Sequence, residues 1–214
     1  MCRWSVPCGV KEAALPESGR AGKLVLVVGP SGAGKDTLIR YAQVALAGRP
    51  DIHFVQRVIT RPADPALEDH LSATEAQFAA MLAEGRFALH WTAHGLRYGV
   101  PLAIEDALRN GAIVVVNASR SIVAEAKARY ADVLTVYITA PRSVLIERLA
   151  ARGRESAAEI ERRIGRTEPD GMDREVVRIQ NDAPIDRAGD ALVSVILGKH
   201  GKANGLAQSG PRLR

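Results

Sequence analysis

Residues 29–37 read GPSGAGKDT, the most informative stretch of the chain for its fold. From Gly29 to Lys35 it matches the pattern G-x-x-x-x-G-K, directly after the apolar run KLVLVVG, which predicts a strand buried on both faces. A helix is predicted from Lys35 to about Ala47. A glycine-rich turn between a strand and a helix lets backbone N–H groups converge on phosphate oxygens. We therefore predict a phosphate-binding loop, and the alternative is a plain glycine-rich turn without a ligand.

The residue after the loop lysine is unusual. Phosphate-binding loops place a Ser or Thr there to hold Mg²⁺, but this chain has Asp36, followed by Thr37. We predict that Lys35 reaches the β and γ phosphates and acts in catalysis, and that Asp36 and Thr37 bind Mg²⁺ directly or through water. The alternative for Asp36 is an ordinary acid in a first helical turn, worth only about 0.3–1 kcal/mol. The residues predicted to contact the nucleotide here are Gly29, Pro30, Ser31, Gly32, Ala33, Gly34, Lys35, Asp36 and Thr37.

The composition is typical of a soluble globular domain. The chain has 214 residues, of which 47% are hydrophobic and 25% charged. No apolar run approaches the ~18–20 residues that a membrane span needs, so we expect no membrane partner. Both cysteines, Cys2 and Cys8, lie near the N-terminus, where they provide neither a disulfide framework nor a metal site. We therefore expect a cytoplasmic protein without a signal peptide.

The net charge of +5 comes from the two ends of the chain. Residues 1–22 contribute +1 and residues 199–214 contribute +4, whereas the 22 basic and 22 acidic residues of 23–198 cancel. A basic face for nucleic acid is therefore not predicted. We expect a disordered N-terminal extension at 1–22 and a disordered basic tail at 199–214, which flank one domain at 23–198.

Apolar strand patterns alternate with helix patterns through residues 23–198. This alternation predicts an α/β fold with a five-stranded parallel sheet and helices on both of its faces. The runs that predict the five strands are KLVLVV, IHFVQRVIT, AIVVVN, VLTVYIT and EVVRIQN. Two segments interrupt the alternation, residues 61–100 as a small substrate-binding insertion and 152–160 as a lid. Inside the first, the letters SATE at Ser72–Glu75 predict a capping box that opens a helix.

Several motifs together resemble the guanylate-kinase-like phosphotransferases. GPSGAGK followed by DTL is similar to their phosphate loop, ITRP to their substrate-phosphate segment, and FALHWTAHGLRYGVP to their segment that ends in Tyr-Gly. LIERLAARG followed by SAAEIERRI resembles their lid, and IQND resembles the Asn near the adenine. The resemblance covers nearly all of residues 24–198. Within the group, GKD, AHGLRYGVP and VVVNASR are most similar to the family of ribose 1,5-bisphosphate phosphokinases, which make phosphoribosyl diphosphate from ATP in phosphonate breakdown.

The resemblance implies a P-loop kinase fold that uses ATP and Mg²⁺. It implies that Arg152 and Arg163 are catalytic and clamp the transferring phosphoryl group when the lid closes. Arg148 is expected to assist them on the nucleotide side, and Asn181 to lie near the adenine. The alternative for the lid arginines is surface pairing at i,i+4 spacing, for example Glu159 with Arg163.

The residues that read guanine in guanylate kinases are apolar here. When the chain is aligned on Tyr98-Gly99, Leu89 takes the place of one of their two acidic side chains, and when it is aligned on Asn117, Val115 takes the place of the other. A slip of one residue gives no carboxylate at either place. Leaving buried polar groups of a base unpaired costs about 1–3 kcal/mol each. An acceptor with phosphates and without a base, such as a sugar bisphosphate, is therefore favoured.

The acceptor is predicted to meet a small set of polar residues. Arg61 is expected to bind a substrate phosphate with its bidentate fork, and Thr60 and Tyr98 to donate to the same phosphate. Substrate contacts are also predicted for Arg57, Glu68 and His94, but a plain structural role stays open for each. Arg57 would then face solvent from a strand, Glu68 would be a solvated loop acid, and His94 would belong to a turn. Guanylate kinases carry an Asp at the position of Asn117. We expect Asn117 on the substrate side as the neutral partner of Asp36. The carboxylate of Asp36 would then replace the one that is missing at position 117.

The favoured function is ATP-dependent phosphorylation of ribose 1,5-bisphosphate to 5-phosphoribosyl 1-diphosphate plus ADP. One alternative is a guanylate or other nucleoside monophosphate kinase. A second is a non-catalytic guanylate-kinase-like binding module, although such modules commonly lose the loop lysine and the lid arginines. The expected partner is a small sugar phosphate, and a homodimer stays an open alternative.

Overall fold

The computed structural model of the protein describes residues 21–62, 70–151, 176–182 and 184–199. The predicted extension and basic tail fall almost wholly outside this part of the chain, and the predicted lid lies outside it altogether. Three predicted site residues are also outside the described residues: Glu68, Arg152 and Arg163.

Nine strands and six helices make up the described part of the chain. The strands are β1 (Lys23–Val28), β2 (Ile52–Phe54), β3 (Arg57–Ile59), β4 (His70–Ser72), β5 (Phe87–Ala93), β6 (Leu96–Pro101), β7 (Ile113–Asn117), β8 (Val133–Thr139) and β9 (Val177–Gln180). The helices are α1 (Lys35–Ala45), α2 (Glu75–Ala83), α3 (Ile104–Arg109), α4 (Val123–Arg129), α5 (Arg142–Ala150) and α6 (Ile185–Ile196), and a 3₁₀ turn occupies Arg120–Ile122. In this part of the chain no helix is long and apolar enough to cross a membrane.

The main sheet has five parallel strands in the order β2-β7-β1-β8-β9. Strand β1 occupies its centre and is apolar along its whole length, as a strand covered on both faces must be. Val25 and Val27 face a core formed with α1, α5 and α6, whereas Leu24 and Leu26 face a second core formed with α3 and α4. This arrangement confirms the predicted five-stranded parallel sheet with helices on both faces.

A smaller sheet of four strands, in the order β4-β3-β6-β5, packs on the α3–α4 side. Strand β3 pairs in parallel with β4 and antiparallel with β6, and β5 and β6 form a hairpin. The prediction that IHFVQRVIT forms one strand is wrong. Ile52–Phe54 pair with β7 of the main sheet, but from Arg57 onward the chain pairs with β4 and β6 of the smaller sheet.

Helix α2 begins two residues later than predicted. Ser72 still pairs with Ile59 in β4, so it cannot cap a helix. Instead Thr74 Oγ1 accepts from the N–H of Gln77 at 3.2 Å, and Gln77 Oε1 accepts from the N–H of Thr74 at 2.8 Å. The helix does begin with a capping box, but Thr74 and Gln77 form it instead of Ser72 and Glu75.

Candidate active site

The phosphate-binding loop stands at the carboxyl end of β1, in the middle of the main sheet. Helix α1 begins after Gly34, whose φ of 85° lies in the left-handed region. A Cβ at Gly34 would lie 2.4 Å from Nδ2 of Asn181, so only glycine fits there. That Nδ2 donates to the carbonyl of Ala33 at 2.8 Å, although the two residues are 148 positions apart. Asn181, predicted on the nucleotide side, therefore contacts the loop itself.

Lys35 folds back over the loop from the first turn of α1. Its Nζ donates to the carbonyl of Gly29 at 2.9 Å and to that of Pro30 at 3.1 Å. These bonds hold the ammonium group against the backbone that is predicted to surround the phosphates. The part of Lys35 in catalysis stays a prediction.

Arg148 approaches the loop from α5. The residue is partly buried, and its Nη1 is 3.8 Å from the point where a Cβ of Gly34 would lie. Nη1 is fully enclosed and has no hydrogen-bond partner in the described part of the chain. A buried donor without an acceptor costs about 1–3 kcal/mol, a cost that a bound anion would remove. Arg148 thus stays a predicted ATP ligand, with an enclosed donor that lacks an acceptor.

Asp36 and Asn117 meet on the opposite side of the loop. Asn117 ends β7, where it pairs with Val27 of β1, and its Nδ2 donates to Oδ1 of Asp36 at 2.5 Å. The Oδ1 of Asn117 is buried and, among the described residues, has no partner. Asp36 is exposed. The two residues predicted to compensate for each other are therefore in direct contact.

Arg57 is buried rather than exposed. The sequence left open whether this residue of β3 faces solvent, and it is only 6% exposed. Its guanidinium carbon lies 5.3 Å from the ring centre of Tyr98 and 5.7 Å from that of Trp91, and the two rings stack at 5.2 Å. Desolvated cation–π contacts of this kind contribute about 2 kcal/mol. The solvent-facing alternative is wrong, and a substrate role for Arg57 stays a prediction.

Thr60 and Tyr98 come from neighbouring strands of the smaller sheet. Thr60 Oγ1 accepts from the N–H of Arg97 at 2.9 Å, and the N–H of Thr60 donates to the carbonyl of Arg97 at 3.1 Å. Within the described ranges the hydroxyl of Thr60 donates to no other group, so its proton can bond to a ligand. Tyr98 pairs with Ile59 across β3 and β6, and Ile59 directly precedes Thr60 in the sequence. Arg61 follows and is partly buried.

His94 occupies the tight turn that joins β5 to β6. Its φ is 53° and that of Gly95 is 73°, a pair typical of the two-residue type I′ turn. The side chain is exposed. The turn accounts for the backbone of His94, and its predicted substrate contact stays untested.

Leu89 and Val115 are core residues. Leu89 is 0% and Val115 1% exposed, and they belong to apolar clusters on different sides of the main sheet. Two side chains in separate clusters cannot together face one base. Their apolar character therefore follows from packing, and it is no evidence against a base in the acceptor.

Arg120 is a further cation near the site, and it is not among the predicted site residues. This residue begins the 3₁₀ turn that follows Asn117 at the carboxyl end of β7, the same edge of the sheet as the phosphate loop. Ligands of open α/β sheets bind at that edge. Its place in VVVNASR, three residues after a predicted parallel strand, is the signal that could have identified it.

No family model matches the chain, but curated relatives are similar over most of its length. The chain is 47% identical over 173 residues to the ribose 1,5-bisphosphate phosphokinase PhnN of Brucella melitensis, which covers 80% of this chain and 90% of the relative. The enzyme of the same name from Thiobacillus denitrificans is 45% identical over 179 residues, 82% of this chain and 93% of the relative. That of Acidiphilium cryptum is 47% identical over 182 residues, 83% of this chain and 94% of the relative.

A solved structure supports the fold. The guanylate kinase from Anaplasma phagocytophilum superposes with a TM-score of 0.61 and covers 86% of this chain and 89% of its own. The two sequences are 18% identical, so the likeness shows the fold alone. Together with the five-stranded parallel sheet, it confirms a P-loop kinase fold.

Proposed function

The chain belongs to the ribose 1,5-bisphosphate phosphokinase family, and from this membership we propose that it transfers the γ-phosphoryl group of ATP to ribose 1,5-bisphosphate. The products are 5-phosphoribosyl 1-diphosphate and ADP. The observation that carries the proposal is the 45–47% identity to three phosphokinases over at least 80% of the chain. Use of ATP and a small sugar phosphate fits the expected cytoplasmic location and a role in phosphonate breakdown.

The proposed reaction needs no catalytic base. An oxygen of the acceptor phosphate forms a bond to the γ-phosphorus, and the bond from that phosphorus to the bridging oxygen of ADP breaks. The attacking oxygen belongs to a phosphate that is already ionised at neutral pH, so no proton has to be removed. The protein supplies positioning and positive charge, which is what phosphoryl transfer mainly requires.

On the nucleotide side, we assign Lys35 and Arg148 to the phosphates of ATP. The backbone of the loop provides further donors, and Asn181 supports the loop through its bond to Ala33. Arg148 contributes an enclosed donor whose acceptor is missing among the described residues. Arg152 and Arg163 are proposed to complete the positive charge around the transferring group.

Asp36 and Thr37 are proposed to hold Mg²⁺, with Asn117 as a neutral partner. The donor set fits, because Mg²⁺ binds through one or two carboxylates and keeps several water ligands. Asp36 is an exposed carboxylate, and the buried Oδ1 of Asn117 has no partner within the described ranges. When bound, the ion would neutralise charge on the β and γ phosphates. The described part of the chain holds no group of three or more His, Cys, Asp or Glu suited to a metal.

On the acceptor side, Arg61, Thr60 and Tyr98 are proposed to bind a phosphate of the sugar. The cation–π contacts of Arg57 restrict its guanidinium, so this buried cation is suited to a fixed anion position. Four other predicted substrate contacts complete the set: Arg57, Glu68, His94 and Asn117.

Product analysis tests the proposal. The purified chain is incubated with Mg-ATP and, separately, ribose 1,5-bisphosphate, GMP or no acceptor, and the products are resolved by phosphorus NMR. A diphosphate on carbon 1 of the ribose, without GDP, is expected. The variant Lys35→Met is the matched control and should form no product. GDP as the main product, or no transfer to the bisphosphate, would overturn the proposal.

A further inference from the structure

Arg120 is held in a fixed turn beside the phosphate loop. The N–H of Ala118 donates to the carbonyl of Val27 at 2.9 Å, so the chain leaves β7 directly beside the end of β1. Ser119 then caps the turn, because its Oγ accepts from the N–H of Ser121 at 3.3 Å and from the hydroxyl of Ser121 at 2.9 Å. The backbone at Arg120 is therefore defined by hydrogen bonds on both sides.

The side chain of Arg120 has no acceptor within the residues that the structure describes. It is partly buried, yet it forms neither a hydrogen bond nor an ion pair there. Arg97, which is also partly buried, lies 3.7 Å from the carboxylate of Glu75. A partly desolvated guanidinium normally pairs with an anion because its five donors are rigidly placed. An open fork at this edge of the sheet is suited to an anionic ligand.

The position of Arg120 assigns it to the acceptor rather than to ATP. Arg148 and Asn181 follow β8 and β9 on one side of the loop, whereas Arg120 follows β7 on the other. In the same turn, Ile122 packs in the apolar cluster that contains Leu89 and Trp91 of the smaller sheet. Arg120 therefore lies where the main sheet meets the sheet that carries the proposed acceptor residues.

We propose that Arg120 binds one of the two phosphates of the sugar bisphosphate through its bidentate fork and thereby favours a bisphosphate over a monophosphate. The inference rests on the proposed function and adds a specificity residue to it. A substrate with two phosphates at opposite ends needs two separate anion sites. The proposed acceptor residues Arg57, Arg61 and Tyr98 lie on or next to strands β3 and β6 of the smaller sheet, and Arg120 adds a cation from the side of the main sheet. Charge-assisted bidentate contacts are the strongest hydrogen bonds available for this purpose.

Binding without turnover tests the assignment. Ribose 1,5-bisphosphate, ribose 1-phosphate and ribose 5-phosphate are titrated into wild type and Arg120→Ala by calorimetry in the absence of ATP. For the bisphosphate and one monophosphate we expect affinity to fall about 10- to 100-fold. The other monophosphate lacks the phosphate that Arg120 binds, so its affinity should stay within twofold. Equal losses for both monophosphates, or no loss for the bisphosphate, would overturn the assignment.

Kinetics and matched variants separate binding from folding. Arg120→Ala should raise the KM for the bisphosphate while the KM for ATP stays within twofold, and Arg120→Lys, which keeps the charge without the fork, should recover part of the loss. Arg109→Ala, whose arginine pairs with Asp106 at 2.7 Å, is the control and should match wild type. An equal rise in the KM for ATP would contradict the assignment. Turnover by wild type tests the proposed function, and only the difference between variants tests Arg120, so the two failures are distinct.

Discussion

Moving the carboxylate of Asp36 to position 117 would test why a phosphate site carries an acid beside its lysine. In Asp36→Ser the bond from Asn117 Nδ2, now 2.5 Å long, is lost. Hydrogen bonds to charged groups contribute about 1.5–3 kcal/mol when buried. Because Asp36 is exposed, we expect a loss of about 1 kcal/mol or less, which lowers Tm by about 2–4 °C in a chain of this size.

The effect on activity should be much larger than the effect on stability. If Asp36 provides the charge that holds Mg²⁺, Asp36→Ser should lower kcat/KM about 100-fold, which corresponds to about 2.7 kcal/mol of transition-state stabilisation. It should also raise the Mg²⁺ concentration required for half-maximal rate. The double variant Asp36→Ser/Asn117→Asp restores a carboxylate across the same contact. Its kcat/KM should be about tenfold higher than that of Asp36→Ser. Initial rates of ADP formation over a range of Mg²⁺ concentrations measure both quantities.

The single variant Asn117→Asp is the control for the exchange. It places two carboxylates in contact, and two like charges 4 Å apart repel by about 1–4 kcal/mol between the dielectric of water and that of a protein surface. Its Tm should therefore fall without Mg²⁺ and rise when Mg²⁺ is added, which reports on the ion independently of turnover. Wild-type turnover and Mg²⁺ dependence in Asp36→Ser would contradict a magnesium role for Asp36. A double variant no more active than Asp36→Ser would contradict it as well.

Three further substitutions test packing and loop contacts. Gly99→Ala puts a Cβ 2.4 Å from the buried ring of Phe87 and should cost about 1–3 kcal/mol in urea unfolding; an unchanged midpoint would contradict the packing. Asn181→Asp replaces the donor to Ala33 with an acceptor, so thermal stabilisation by ATP should disappear, and its persistence would argue against loop support. Burial raises the pKa of Tyr130 to about 12. Unfolded tyrosine ionises first, so wild type should lose stability between about pH 10 and 12, and Tyr130→Phe should lose less.

The centre of the main sheet could be predicted because β1 and β7 are nearly continuous apolar runs, but the division of IHFVQRVIT could not. Both halves of that run have the composition of a strand. The change of partner occurs at Val55, whose N–H still donates to the carbonyl of Val115 at 3.0 Å, before Val58 pairs with Gly99. Pairing with a strand some 40 positions later leaves no local signal, because periodicity describes which face is buried and not which neighbour covers it.

The phosphate loop is formed by consecutive residues, so the sequence motif is enough to predict it. The side chains that surround the loop are positioned by contacts between distant strands, which the sequence does not show. The resemblance placed Asp36 and Asn117 at one site, but it did not predict the hydrogen bond between them. The burial of Arg57 was not predicted either, since it depends on two aromatic rings that reach it from β5 and β6. A charged residue on a strand looks the same in the sequence whether it faces water or a stacked pair of rings.

The charges around the loop explain why this site can carry an acid at all. Each phosphate monoester has a charge of about −1.5 to −2, so joining ATP to a bisphosphate brings many negative charges together. Lys35, Arg148 and Arg120 stand around the loop on three different elements. A carboxylate without a partner would repel the phosphates that these cations attract. Asp36, however, accepts a hydrogen bond from the neutral amide of Asn117 and is exposed to solvent. A carboxylate in that position is unfavourable for an anion alone and favourable for an anion that arrives with a divalent cation, so it would select the magnesium complex of ATP over the free nucleotide.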